Sequence, residues 1–216
     1  MSKPLLFIPS PRDIPEFNEA TAKLTTIDKL WLKYYPQEEA YTKARQWFLE
    51  DDHYSHLVIL PDDLIVNQNI LDRLIEDTQK HNIISGWCAN TINDNGETDS
   101  NISLAHLPPD PPLRNLYHEL HFESLVFMEH ILKVGIPIIP VAHQGFALTV
   151  LAKHIVKKVP FRTSAGCCVD SCLSLDLNRM EITQFVDLRA RSRHIKTNPD
   201  ILLTGKKIPE MIFEAV

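Results

Sequence analysis

The feature that most constrains this chain is an alternation of two hydrophobic periods over its first 88 residues. Apolar runs at Leu5–Ile8, Asp28–Tyr35, Leu57–Leu60 and Asn82–Trp87 read as strands, each bounded by proline, glycine or polar residues. Between them lie segments with helical spacing. Residues 13–24 predict a short helix. Ala40, Ala44, Trp47 and Phe48 predict a helix over Gln37–Glu50. Asn67 reads as the N-cap of a further helix carrying Ile70, Leu71, Leu74 and Ile75 on one face. A β-α-β-α-β-α-β order of this kind demands a parallel sheet with right-handed crossovers. The first half is therefore Rossmann-like in the broad sense. With six glycines in 216 residues and no G-x-G-x-x-G, a dinucleotide-binding fold of the usual kind is disfavoured.

The second half is less regular. Residues 89–113 combine a polar stretch with "LPPDPP" and read as a long surface loop near the site. Residues 114–134 fit helix and strand equally. "IPIIPVAHQGFALTVLAKHIV" holds strand-like runs around "HQG" and a short helix near Lys153. Leu173, Leu177 and Met180 fall at i, i+4 and i+7, which predicts a helix opening at Asp170. "EITQFVDL" is a further strand, followed by the basic "RARSRHIK". Nothing in the terminal "IFEAV" points to a second domain, so one α/β domain over 1–216 is expected.

Composition narrows the function classes. A formal net charge of -6 and a pI near 5.9 argue against a general nucleic-acid binder, while leaving room for a local basic site for a phosphorylated ligand. The four cysteines, Cys88, Cys167, Cys168 and Cys172, lack the paired spacing of a zinc site and read as small buried side chains. So few cysteines fit a reducing, cytoplasmic compartment. The opening "MSKPLLFIPS" is too short and polar-flanked for a signal peptide, and no apolar run approaches 18 residues, so no membrane span is expected.

Three places gather reactive groups. Asp62 and Asp63 follow an apolar strand, where open α/β sheets place ligands. Paired hard oxygens there suit Mg²⁺ or Mn²⁺, and the bland reading is a polar loop before the next helix. Asp170, at the start of a late helix, reads either as an N-cap or as a carboxylate held ionised by backbone N–H groups and fit to act as a general base. Arg189, Arg191, Arg193, His194 and Lys196 alternate along a strand-like segment. They read either as the charges that protect a sheet edge or as a clamp for a diphosphate. His143, beside Gln144 and Gly145, is a further candidate, because glycine permits close approach of a sugar.

In their chain order these segments resemble the GT-A glycosyltransferases, especially family-2-like members. The resemblance runs from about Pro4 to Lys196. "LLFIPSPR" looks like the first strand and nucleotide loop, and "AYTKARQWFLEDDHYSHLVILPDDLIV" like the helix and strand that end in the D-x-D motif. "HQGFALTVLAKHIVKKVPF" and "VDSCLSLDLNRMEITQFVDLRARSRH" look like the glycine-containing segment and the catalytic-carboxylate helix with its terminal histidine. The resemblance implies a GT-A, mostly parallel central sheet flanked by helices. It divides into a nucleotide-binding half (1–88), an acceptor and catalytic half (89–200) and a C-terminal extension (201–216). It implies transfer of a sugar from a UDP- or GDP-sugar to an acceptor hydroxyl, dependent on Mn²⁺ or Mg²⁺ and inverting. Asp63 matches the last acid of D-x-D, a metal ligand. Asp62, at its middle position, matches a contact to ribose or donor sugar, or a second ligand. Asp170 matches the general base, and His194 the histidine that completes the metal site. Pro9, Ser10 and Arg45 would lie near the nucleotide, Arg191 and Arg193 near the diphosphate, and His143, Gln144 and Gly145 near a sugar. The pattern departs at Pro61, which offers no oxygen at the first D-x-D position, and at Ser171, where many inverting members carry a second acid.

Two other readings compete. A nucleotidyltransferase would also use acids and Mg²⁺, but usually carries a glycine- and basic-rich loop after its first strand; "PSPRDIPE" has no glycine. A non-catalytic nucleotide-sugar binder or assembly partner would tolerate Pro61. Trp31, Trp47 and Trp87 lie in apolar patterns and are read as core.

Overall fold

The computed structural model describes residues 3–92, 98–105, 120–164, 167–195 and 208–216. Strand periodicity builds its core. In β1 (Lys3–Ser10), Leu5 and Phe7 face one side of the sheet and Leu6 and Ile8 the other, all fully buried. Both faces must therefore be covered. On the first, α2 (Gln37–Glu50), α5 (Lys153–Lys158) and α6 (Val169–Arg179) bring Tyr41, Phe48, Ile155 and Leu173 onto Leu5 and Phe7. On the second, α1 (Pro15–Ala22) and α3 (Gln68–Asp77) bring Phe17, Leu71 and Leu74. Each such side chain contributes about 1.5–3 kcal/mol on full burial. Asn67 caps α3, its side chain accepting from the Ile70 N–H at 3.0 Å.

β1 pairs in parallel with β2 (Asp28–Lys33) and with β3 (Tyr54–Ile59). The expectation of a mostly parallel sheet is corrected beyond this point. β10 (Thr149–Ala152) inserts antiparallel between β3 and β5 (Ile83–Ile92), and only then does β11 (Gln184–His194) pair in parallel with β5. β10 fits because all four of its residues are buried, with Val150 and Leu151 serving opposite faces. The two-residue β4 (Leu64–Ile65) and β8 (Ile138–Val141) add antiparallel to β11, β6 (Thr98–Ser100) adds antiparallel to β5, and β7 (Ile102–Ser103) pairs with β9 (His143–Gln144) apart from the main sheet. The fold is mixed α/β; with β12 (Glu210–Glu214) at one edge, the order is β12-β2-β1-β3-β10-β5-β11-β4.

The C-terminal extension joins this sheet. β12 (Glu210–Glu214) lies antiparallel on β2, and the Val216 N–H donates to buried Asp28 at 2.9 Å. The stretch 89–113, read as one loop, includes the end of β5 with β6 and β7; its residues 93–97 and 106–113 lie outside the described residues. The ambiguous segment 114–134 holds α4 (Leu125–Lys133), capped by Ser124; residues 114–119 lie outside the described residues. Trp31 and Trp87 are buried and Trp47 is partly so. Among the described residues no helix is long and apolar enough to cross a membrane.

Candidate functional site

A cleft of about 360 Å³ opens at the carboxyl ends of β1 and β3, within the size range of small-molecule sites. β3 ends at Ile59, and the chain then turns through Pro61 so that Asp62 and Asp63 line the cleft. Immediately afterwards β4 docks on the end of β11, pairing Leu64 with His194. The Ile195 N–H donates to the Asp63 carbonyl oxygen at 2.6 Å. That short pairing sets His194 Nε2 3.5 Å from Asp63 Oδ2.

Arg12, in the loop after β1, ties the acids together. Its backbone N–H donates to Asp62 Oδ2 at 3.1 Å, its Nε–H to Asp62 Oδ1 at 3.1 Å, and its outer nitrogen to both Asp62 and, at 3.0 Å, Asp63 Oδ2. Asp62 is 2% exposed and Asp63 24%. Burial pushes the Asp62 carboxyl above its usual range, against the pull of Arg12. Burial also pushes Asp63 upward, but hydrogen bonds from His194 and Arg12 outweigh it and hold that carboxyl below its usual range. Ser10 lies behind the lining, its Oγ donating to the Arg12 carbonyl oxygen at 2.8 Å.

Asp170 lines the cleft from the first turn of α6. It is the second helical residue; the N-cap is Cys168, which makes no side-chain cap. The Asp170 Oδ1 instead accepts from the Ser171 N–H at 2.7 Å and from the Cys168 thiol. Burial first, then the Asp170 charge, pushes that thiol up to about 12, so it stays protonated and able to donate. Gly145 underlies the carboxylate: a Cβ there would stand 3.5 Å from Asp170 Oδ2 and 3.3 Å from the Asn101 Cβ. His143 Nε2 lies 3.2 Å from the Ser171 Oγ, and burial lowers its basicity, so the ring is neutral. Tyr41 and Phe146, stacked at 5.5 Å, form an apolar wall.

Of the residues singled out from the sequence, the cleft brings together Pro9, Asp62, Asp63, His143, Gly145, Asp170 and His194. It does not bring in the others. Arg45 turns away, donating to the carbonyl oxygens of Val156, Lys157 and Val159 at the end of α5. Gln144 is buried behind the lining. Arg191 and Arg193 lie on the exposed face of β11, paired with Glu129 and Glu16, beside a shallow neighbouring cleft. Sequence reasoning passed over Arg12, Asn101 and Tyr41. Only Arg12 left a signal, as a cation in a loop after a strand of a parallel pair.

Among the described residues, Asp63 and His194 could hold a divalent cation: a carboxylate oxygen and an imidazole nitrogen face each other across 3.5 Å. Among the described residues no three His, Cys, Asp or Glu side chains converge as a ready-made metal site. Mg²⁺ and Mn²⁺ commonly take one or two carboxylates plus substrate phosphates, so this pair suits a cation whose shell a nucleotide completes.

No protein-family model matches the chain, and no curated protein matches it. Solved structures do. A197 from STIV is similar with a TM-score of 0.50 and 12% identity, over 89% of this chain and 82% of that one. A CMP:2-keto-3-deoxy-manno-octonic acid synthetase complexed with CTP has a TM-score of 0.47 and 11% identity, over 92% of each chain. At such identities the likeness to A197 speaks to the fold alone.

Proposed function

We propose that this chain binds a nucleoside-diphosphate sugar in the cleft and transfers the sugar to an acceptor hydroxyl with inversion. The observation that carries this reading is the convergence on one cleft of two separate acidic groups. Asp62 and Asp63 come from the end of β3, and Asp170 from the start of α6. The first group, with Arg12 and His194, is suited to the charged end of a nucleotide; the second has no cationic partner among the described residues and is suited to a proton.

Asp170 takes the acceptor proton as the hydroxyl attacks the anomeric carbon. The Ser171 N–H and the Cys168 thiol fix its Oδ1, which leaves Oδ2, over Gly145, to meet the hydroxyl. Arg12 holds the diphosphate end, and the Tyr41–Phe146 wall keeps water from the reacting carbon. A divalent cation on Asp63 and His194 would supply neutralisation of the leaving diphosphate. The test is product analysis with UDP- and GDP-sugars. Asp170→Asn is expected to retain nucleotide binding and to lose about 10²–10⁴-fold in transfer. Retained configuration in the product contradicts inversion.

A second reading, nucleotidyl transfer, draws on Arg12. Such enzymes hold triphosphates with basic residues after the first strand, and Arg12 occupies that loop. Release of pyrophosphate from a nucleoside triphosphate and a sugar, in place of nucleoside diphosphate from a nucleotide sugar, would establish it.

A further inference from the structure

We propose that Arg12 is a latch that makes cation binding at Asp63 and His194 conditional on the nucleotide. This inference rests on the nucleotide-binding reading above. Arg12 is held unequally by the two acids. To Asp62 it is bound through its backbone N–H, its Nε–H and its outer nitrogen, and Asp62 is almost wholly buried. To Asp63 it is bound through its outer nitrogen, at Oδ2, 3.0 Å away. That same oxygen is the one 3.5 Å from His194 Nε2. A divalent cation bridging Asp63 and His194 must therefore take the oxygen that the guanidinium holds, and two positive groups on one oxygen repel each other.

The asymmetry supplies the way out. Asp63, the more exposed acid, can turn its Oδ2 off the guanidinium while Arg12 keeps its backbone N–H, Nε–H and outer-nitrogen bonds to Asp62, so the buried carboxylate keeps its partners. With no nucleotide present, the released N–H groups gain only water and the cation has only two protein donors. With a nucleoside diphosphate present, the guanidinium gains phosphate oxygens, which it binds in a fork, and the cation gains the rest of its shell. Each ligand thereby raises the affinity for the other by the same factor. In their absence the site stays closed by its own charges.

The test titrates Mn²⁺ alone, and Mn²⁺ with uridine or guanosine diphosphate, into wild type and into Arg12→Gln combined with Asp62→Asn, following bound metal by calorimetry and by the loss of free Mn²⁺ signal. The Asn at 62 removes the buried charge that Arg12→Gln alone would orphan. Wild type is expected to bind Mn²⁺ weakly alone and about tenfold or more tightly with the diphosphate. The double variant is expected to bind Mn²⁺ alone about tenfold more tightly than wild type, with little further gain from the nucleotide. If the double variant binds Mn²⁺ alone no better than wild type while the nucleotide still recruits metal to wild type, the latch is wrong and the functional reading stands. If wild type binds neither diphosphate nor Mn²⁺ in any combination, the functional reading fails and takes the latch with it. Should the double variant not fold, Arg12→Lys decides. The lysine ammonium lacks the planar fork with which the guanidinium spans the two acids, so tighter binding of Mn²⁺ alone supports the latch and unchanged binding overturns it.

Discussion

Asp170 Oδ2 lies 3.5 Å from the point where a Cβ on Gly145 would stand. The backbone of the β9 turn is thus the floor beneath the carboxylate proposed as the base. Asn101 holds that floor in place, its side-chain amide donating to the Gly145 carbonyl oxygen at 2.8 Å while its own oxygen accepts from the Cys88 N–H at 2.8 Å.

Gly145→Val is therefore expected to push Asp170 and Asn101 aside. Transfer should fall about 10²-fold, as misplacements near 1 Å do, out of proportion to the stability lost by displacing the buried Asn101. Steady-state kinetics and a thermal melt on the same preparation check the split. Equal loss in both would show that the turn is only a packing element.

Gly86 makes a different demand. A Cβ there would come within 2.5 Å of the Ala190 carbonyl oxygen and 2.7 Å of that of Ala147. Both are backbone atoms of the central sheet region and cannot rotate away. Gly86→Ala is expected to cost about 2–3 kcal/mol, read by denaturant unfolding. A change below about 0.5 kcal/mol would mean the strands can part.

Asp77, the last residue of α3, approaches Asp187, which is fully buried on β11 and held by two 2.8 Å bonds from Arg189. Burial, then the hydrogen bond and charge of Asp187, pushes the Asp77 carboxyl up to about 6. The folded chain thus holds this proton more tightly than the unfolded chain. The stability it contributes is full below the ordinary carboxylate range and lost as pH rises through about 6. Asp77→Asn, which keeps a donor toward Asp187, is expected to remove about 1–2 kcal/mol of that pH-dependent loss. Urea melts between pH 4 and 7 measure it; an unchanged slope in the variant places the titration elsewhere.

Much of the first 88 residues was legible because each strand and helix there is built from neighbours in sequence. Gln37–Glu50 and Gln68–Asp77 follow from side-chain period and, for the latter, the Asn67 cap. The placement of β10 was not legible. "TVLA" reads as a strand anywhere, and its antiparallel seat between β3 and β5 depends on where a path of some sixty residues returns. Asp62, Asp63 and Asp170 reach the cleft because strand ends and helix starts aim side chains at the crevice. Arg45 lies away from the cleft by one turn: it shares a helix face with Tyr41 but sits four residues further along, where it meets the end of α5 instead of the cleft lined by Gln37, Ala40 and Tyr41. The arginines of β11 stay out of the cleft by parity: Ala190, Ser192 and His194 point inward, so Arg191 and Arg193 point out. Arg12 needed the fold, since only the approach of the β1 and β3 ends brings it to acids fifty residues away.

The central claim is that the acids after β3 hold the charged end of a nucleotide. Calorimetric titration of UDP- and GDP-sugars, with and without Mn²⁺, into wild type and Asp63→Ala tests it most directly. The account predicts binding of one donor by wild type, strengthened by Mn²⁺, with the Mn²⁺ effect lost in Asp63→Ala. Absence of binding by every donor under every condition would contradict it, and would leave Asp62 and Asp63 as structural partners of Arg12 and His194.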